Sequence, residues 1–319
     1  MQKTILGDTG KKISCMGLGT MYFGTKIDKR TSFAMLDFYI EKGGSFLDSA
    51  NKYASWVPGF QGGESENMIG KWMKQKKNRS ALFITSKVGF SYGDIQRSLK
   101  KEIIVSECEK SLKRLGVETI DLYFAHAFDE KTPLEETMEA FCQLKKSGKI
   151  RFAGASNFYG WQLSEANAAA SRQGWEGFCC VQQRHTYLEP TLRAYFGTQL
   201  LLTPEIIELC KVKNLSMMAY SPLLGGVYVR NELPIPVQYQ SVTNDFRMSG
   251  LKEIAADLRV SANAIVLAWM VQSSPFVIPM VAGSSVAQLN ENLSALSFAL
   301  SKEQMERLNQ VIVQPNKYS

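Results

Sequence analysis

Short apolar runs recur along the chain, and between them lie longer stretches whose apolar residues fall three and four positions apart. The runs at 16–19, 45–48, 82–87, 120–126, 150–156, 178–182, 216–220 and 277–281 read as eight strands. The stretches between them read as helices. In 106–115, with Val105 just ahead of it, Cys108, Leu112 and Leu115 share one helical face. In 133–147, Pro133 suits a first helical turn and Gly148 is placed to end the helix. Thr203 is placed to cap a helix opened by Pro204. Ahead of all this, 4–6 and 12–14 flank the turn signal Gly7-Asp8-Thr9-Gly10, which predicts a hairpin.

Eight strand–helix units without a break in composition predict an α/β fold: a (β/α)₈ TIM barrel with an N-terminal β-hairpin, spanning 1–319 as one domain. An open doubly wound sheet fits the hairpin and the strand count poorly. Two stretches, 186–202 and 223–250, are long for loops that follow barrel strands, and such loops are often functional. Gly225-Gly226, Pro234 and Pro236 make the second read as an irregular cover over the mouth.

Composition narrows the classes. With 45% hydrophobic and 21% charged residues, the 319-residue chain is ordinary globular protein that buries a core without staples. Six cysteines without a CxxC pair read as reduced thiols. The first residues show no signal pattern and no apolar run is long enough for a membrane span, so a cytoplasmic protein without a membrane partner is expected. The net charge of +7 is spread along the chain rather than gathered on one element, which argues against a nucleic-acid partner.

Barrel enzymes place reacting groups where strands end. Three apolar runs end in ionisable residues: Asp48, Lys87 and His126, each 39 residues after the last. Tyr53 follows Asp48 by five positions. Singly, Asp48 reads as a helix cap, Lys87 as a surface lysine, His126 as a core histidine and Tyr53 as loop packing. Together at one mouth they suit carbonyl reduction, which needs a proton delivered to oxygen as hydride reaches carbon. A lysine ammonium beside the phenol is expected to lower its pKa from about 10. An aspartate would supply the countercharge, and a histidine would align the substrate oxygen.

The segment Phe46-Leu47-Asp48-Ser49-Ala50-Asn51-Lys52-Tyr53 closely resembles the aldo-keto reductase signature. Thr85-Ser86-Lys87 and Ile120-Asp121-Leu122-Tyr123-Phe124-Ala125-His126 resemble the segments that carry that family's lysine and histidine. The likeness runs nearly end to end, and it implies the catalytic tetrad Asp48, Tyr53, Lys87 and His126.

It also implies a nicotinamide cofactor extended across the mouth. Gly17-Leu18-Gly19 with Gly24 has the wrong spacing for a dinucleotide fingerprint. By resemblance, Thr20 and Met21 lie near the cofactor. Ser156, Asn157 and Gln182 hold its carboxamide, Tyr220 stacks on its ring, and Ser221, Leu223 and Gly225 lie near the pyrophosphate. Gly283, Ser285, Gln288, Glu291 and Asn292 form the adenosine end. Many members carry Lys or Arg where this chain has Ala282, Ser284, Ser285 and Gln288. The family favours NADP(H), while these uncharged residues leave NAD(H) open.

The expected partner is a small-molecule carbonyl, alcohol or sugar, in a mouth bordered by Met21, Tyr22, Phe23, Trp56, Phe60 and Phe128. Two rivals remain: a non-catalytic nucleotide-sensing subunit on the same fold, and a metal-dependent hydrolase. Only two histidines exist, and no His-x-His follows the first strand, so no metal site is expected. Oligomeric state is left open.

Overall fold

Residues 1–310 of the computed structural model are described here, so the last nine positions of the 1–319 span lie outside the described residues. Strands β1 (Lys3–Ile5) and β2 (Lys12–Ser14) pair antiparallel, with Thr4 opposite Ile13. Gly7 and Gly10 turn the chain between them at positive φ, and Thr9 donates to the Leu6 carbonyl at 2.6 Å.

Eight parallel strands follow: β3 (Gly17–Gly19), β4 (Phe46–Asp48), β5 (Phe83–Val88), β6 (Ile120–Ala125), β7 (Ile150–Ser156), β8 (Cys180–Arg184), β9 (Ser216–Tyr220) and β10 (Val277–Val281). They pair in chain order, and β10 closes on β3, so the sheet is a barrel. Its interior is packed with Phe46, Phe83, Leu122, Phe124, Met218, Ile278 and Met280. Leu6 and Ile13 of the hairpin join that cluster. Gly7 N–H donates to Ser216 Oγ at 2.7 Å, which seats the hairpin as a plug under the start of β9.

The α-helices of the described residues are α1 (Lys29–Glu41), α2 (Glu64–Lys76), α3 (Lys101–Leu115), α4 (Leu134–Lys146), α5 (Gly160–Arg172), α6 (Pro204–Lys213), α7 (Val242–Leu258), α8 (Ala262–Gln272), α9 (Val286–Leu293) and α10 (Lys302–Asn309). Each barrel-facing stripe meets the outer side of the sheet, as where Ile104, Cys108, Leu112 and Leu115 of α3 are buried. Thr203 caps α6 by accepting from Ile206 N–H, with Pro204 at the first helical position. Gly116, at φ 66°, ends α3 in the left-handed conformation that glycine adopts without strain.

The structure departs from expectation at four boundaries. Pro133 is the N-cap of α4 rather than its first-turn residue. Helix α3 begins at Lys101, because fully buried Ile104 extends the inward stripe past 106. The sixth barrel strand begins at Cys180, not 178. Phe178 packs outside the barrel against Phe141 and Phe158 at 5.5 and 5.8 Å between ring centroids, and pairing continues to Arg184 opposite Tyr220. Finally, 223–250 is not irregular throughout, since α7 starts at Val242. The inward face of its first turns carries Asn244 and Arg247, which masks the apolar period. Those two residues tie the long loops down. Asn244 donates to the carbonyls of Glu189 and Tyr239, and Arg247 donates to that of Tyr187.

No single helix among the described residues is long and apolar enough to cross a membrane.

Phe46→Ala is expected to cost about 3–5 kcal/mol of unfolding free energy, because it opens a cavity between the barrel interior and Phe83. Urea denaturation checks this, and a loss below 1 kcal/mol would mean the plug collapses into the space.

Candidate active site

The ends of β4, β5 and β6 lie side by side, with Asp48 opposite Thr85 and Lys87 opposite Phe124. That register brings together the residues that follow one another at 39-residue steps. The Lys87 ammonium is fully buried and has three acceptors: Asp48 Oδ2 at 2.7 Å, the Ser49 carbonyl at 2.8 Å and the Tyr53 hydroxyl at 2.8 Å. Asp48 Oδ1 accepts from Thr85 Oγ1 at 2.7 Å and from Gln182 Nε2 at 3.1 Å. Every strong partner of the carboxylate is thus a donor, which is what a buried charge requires.

Tyr53 sits in the turn-rich segment after β4, where Ala54 takes a positive φ of 65°. Its ring keeps some accessible surface, while its hydroxyl lies deep between Lys87 and Asp48. The expected lowering of the phenol pKa is not what this arrangement gives. Burial and the adjacent Asp48 carboxylate hold it well above 10. The phenol faces an ion pair rather than a lone ammonium, so the carboxylate acts on it beside the cation. Burial also lowers the Lys87 pKa, against the opposing pull of Asp48.

His126 follows β6, its backbone N–H donating to the Val88 carbonyl at 2.7 Å. Its ring meets Tyr53 edge-on at 6.0 Å and Phe90 at 4.8 Å between centroids. Burial, with the Lys87 and Lys52 charges, pushes its pKa well below 6.5, so the imidazole is neutral. Nδ1 is buried with no partner among the described residues.

The residues expected near a cofactor form two groups. At the ends of β7, β8 and β9, Tyr220 donates to Asn157 Oδ1 at 2.7 Å, and Asn157 Nδ2 reaches Ser156 Oγ and the His126 carbonyl at 3.1 and 2.9 Å. Asn157 Oδ1 also accepts from Leu200 N–H, so its side chain is committed to the protein. Gln182 turns its amide nitrogen to Asp48 rather than to Ser156 or Asn157. Thr20 is buried, bonded to the Asp48 carbonyl and to Ser65. Ser221 and Gly225 bend the chain after β9 at φ 55° and 72°, with open space over Gly225 where a side chain would stand.

The second group surrounds the start of α9. Ser285 caps that helix, Gln288 accepts from Ser284 N–H, and Asn292 donates to the Ala282 carbonyl at 3.0 Å. Gly283 packs against Gln288, and Glu291 is half-buried. Positions 282–288 carry no cation.

Sequence reasoning missed Thr85, the Ser49 carbonyl and Gln183, whose side chain holds Asn157 N–H and the Phe158 carbonyl. The signal for Thr85 was its place two residues before Lys87, on the same face of the strand. Phe23 was expected at the mouth. It lies in the core, 1% exposed.

The aldo/keto reductase family model matches residues 15–313. The chain belongs to this family. It is therefore an oxidoreductase on the family's barrel. Among its relatives, the uncharacterized oxidoreductase YrpG of Bacillus subtilis is 30% identical over 99% of this chain and 97% of its own length. Norsolorinic acid reductase stcV of Emericella nidulans is 30% identical over 95% of this chain and 79% of its own. The crystal structure of the thermostable aldo-keto reductase Tm1743, with the inhibitor epalrestat, superposes with a TM-score of 0.77 at 28% identity, covering 97% and 99% of the two chains.

Lys87→Met leaves the Asp48 carboxylate buried without its cation and is expected to cost about 3–5 kcal/mol in urea at neutral pH. Adding Asp48→Asn should recover most of that loss. If the double variant were no more stable than Lys87→Met, the buried charge would not be the cause.

Proposed function

We propose that this aldo/keto reductase reduces an aldehyde, ketone or sugar carbonyl with NAD(P)H, with Tyr53 as the general acid. The observation that carries this reading is the fully buried ammonium of Lys87, bonded to both the Tyr53 hydroxyl and Asp48. A nicotinamide, when bound, supplies the hydride. Everything else falls to the chain's own groups.

A phenol held protonated by burial and by Asp48 carries its proton at neutral pH. Once the substrate oxygen gains charge, Tyr53 gives up that proton, and Lys87 at 2.8 Å stabilises the phenolate that remains. Asp48, Thr85 and Gln182 hold the ammonium in place, so little reorganisation is needed. Neutral His126, with hydrogen on Nε2, donates to the substrate oxygen and leaves only a lone pair at buried Nδ1.

The residues at the ends of β7 and β9 suit a flat amide-bearing ring: an aromatic face from Tyr220, its hydroxyl fixed by Asn157, beside Ser156 and with Gln182 of β8 nearby. Asn157 acts here as the brace. At the α9 end the capping hydroxyls and amide satisfy one another, and positions 282–288 offer no cation to a 2′-phosphate. That supports binding of NADH alongside NADPH.

Tyr53→Phe is expected to lower aldehyde reduction by about 10²–10⁴-fold while cofactor binding, read by fluorescence, stays intact. Wild-type turnover in that variant would remove Tyr53 as the acid, and an inactive wild-type protein that still binds nucleotide would favour a sensing role. NADPH and NADH dissociation constants should agree within about tenfold, where a charged clamp would separate them further.

The pH profile follows from the two shifts. The phenol, raised above 10, is protonated throughout the neutral range, and His126, pushed below 6.5, is neutral there. Reduction should show no inflection near pH 6.5, whereas alcohol oxidation, which needs the phenolate, should rise toward alkaline pH. A reduction profile that falls by half near 6.5 would mean that His126 titrates.

A further inference from the structure

We infer that Lys52 is an anion-recognising group of the substrate mouth, so that the preferred carbonyl substrates carry a carboxylate, phosphate or similar anionic group. This rests on the reading of the mouth as a carbonyl-reducing site.

Lys52 immediately precedes Tyr53 in the same turn. Its ammonium lies 4.2 Å from the Phe90 ring centroid and 5.7 Å from that of Trp56. The same Phe90 ring meets His126 edge-on at 4.8 Å. The ammonium and the imidazole therefore share one aromatic neighbour. Lys52 is also one of the charges that depress the His126 pKa, so its field reaches the reacting end.

No carboxylate or hydrogen-bond acceptor among the described residues takes any of the three ammonium hydrogens of Lys52. The hydrogen bonds and ion pairs at this mouth belong to Lys87 instead. Half-buried as it is, the ammonium is also absent from the side-chain atoms that are both sealed from solvent and unpartnered, so it keeps accessible surface. Desolvation by its aromatic neighbours lowers its pKa. A cation that is partly dehydrated and open on one side gains more from an incoming anion than an exposed lysine does. Arg97, 5.9 Å from the centroid of the same Phe90 ring, adds charge of the same sign. Two cations lie against this ring.

The competing role for Lys52 is a clamp that holds the Trp56 segment to Phe90. Methionine at 52 keeps an unbranched apolar chain and contact with the rings while it removes the charge. The experiment compares 4-carboxybenzaldehyde with its neutral methyl ester. The readouts are kcat/KM and, independently of turnover, quenching of tryptophan fluorescence with and without NADPH. Lys52→Met is expected to lower the acid-to-ester ratio by about tenfold in both readouts, and Lys52→Arg to keep it within about threefold. A clamp would affect acid and ester alike, so an unchanged ratio in Lys52→Met overturns the proposal. If the wild-type protein reduces neither compound, the reading of the site as a reductase fails, and the quenching ratio still decides Lys52.

Discussion

The buried ion pair between Lys87 and Asp48 is the interaction on which the rest of this site depends. Neither charge is tolerable alone at that depth, and the Coulombic gain offsets desolvation only where hydrogen bonds complete both shells. Thr85 and Gln182 do that for the carboxylate, and the Ser49 carbonyl and Tyr53 hydroxyl do it for the ammonium. The phenol is thus not an addition to a finished pair. It is the third partner of the ammonium. Burial and the Asp48 carboxylate beside it are what keep the proton on the phenol.

The barrel makes that pair possible by separating its two ends. The hairpin closes one with Leu6 and Ile13, and the interior is filled with aromatic and methionine side chains. Polar groups gather where the strands finish. Behind the site a second layer repeats the logic. Glu66 of α2 is fully buried, and it accepts from Ser86 of β5 and from Arg114 of α3, so the strand that carries Lys87 is braced by charge from outside the barrel. The long loops after β8 and β9 are fastened by Asn244 and Arg247, whose side chains satisfy the carbonyls of Tyr187, Glu189 and Tyr239.

The alternation of short apolar runs with helical stretches was legible because strand and helix periods are local properties. Eight such units left little choice but a closed parallel sheet. Residues that end strands were legible for the same reason, and the equal steps between Asp48, Lys87 and His126 reflect one strand–helix unit each. The start of α7 was not, because Asn244 and Arg247 occupy its inward face for the sake of loops far away in the chain.

What the sequence by itself determined is the order of the elements and which chemical groups arrive at the mouth. Only the tertiary structure decided which partner each group takes. Gln182 reaches Asp48 across 134 residues, and Asn157 spends its amide on Tyr220, Ser156 and Leu200. The phenol pKa moves up rather than down, and Lys52 is left over Phe90 without an acceptor among the described residues. The physical reason is that dihedral preference and hydrophobic period act over a few residues. Hydrogen-bond satisfaction, desolvation and charge pairing depend on which strand ends the closed register sets side by side.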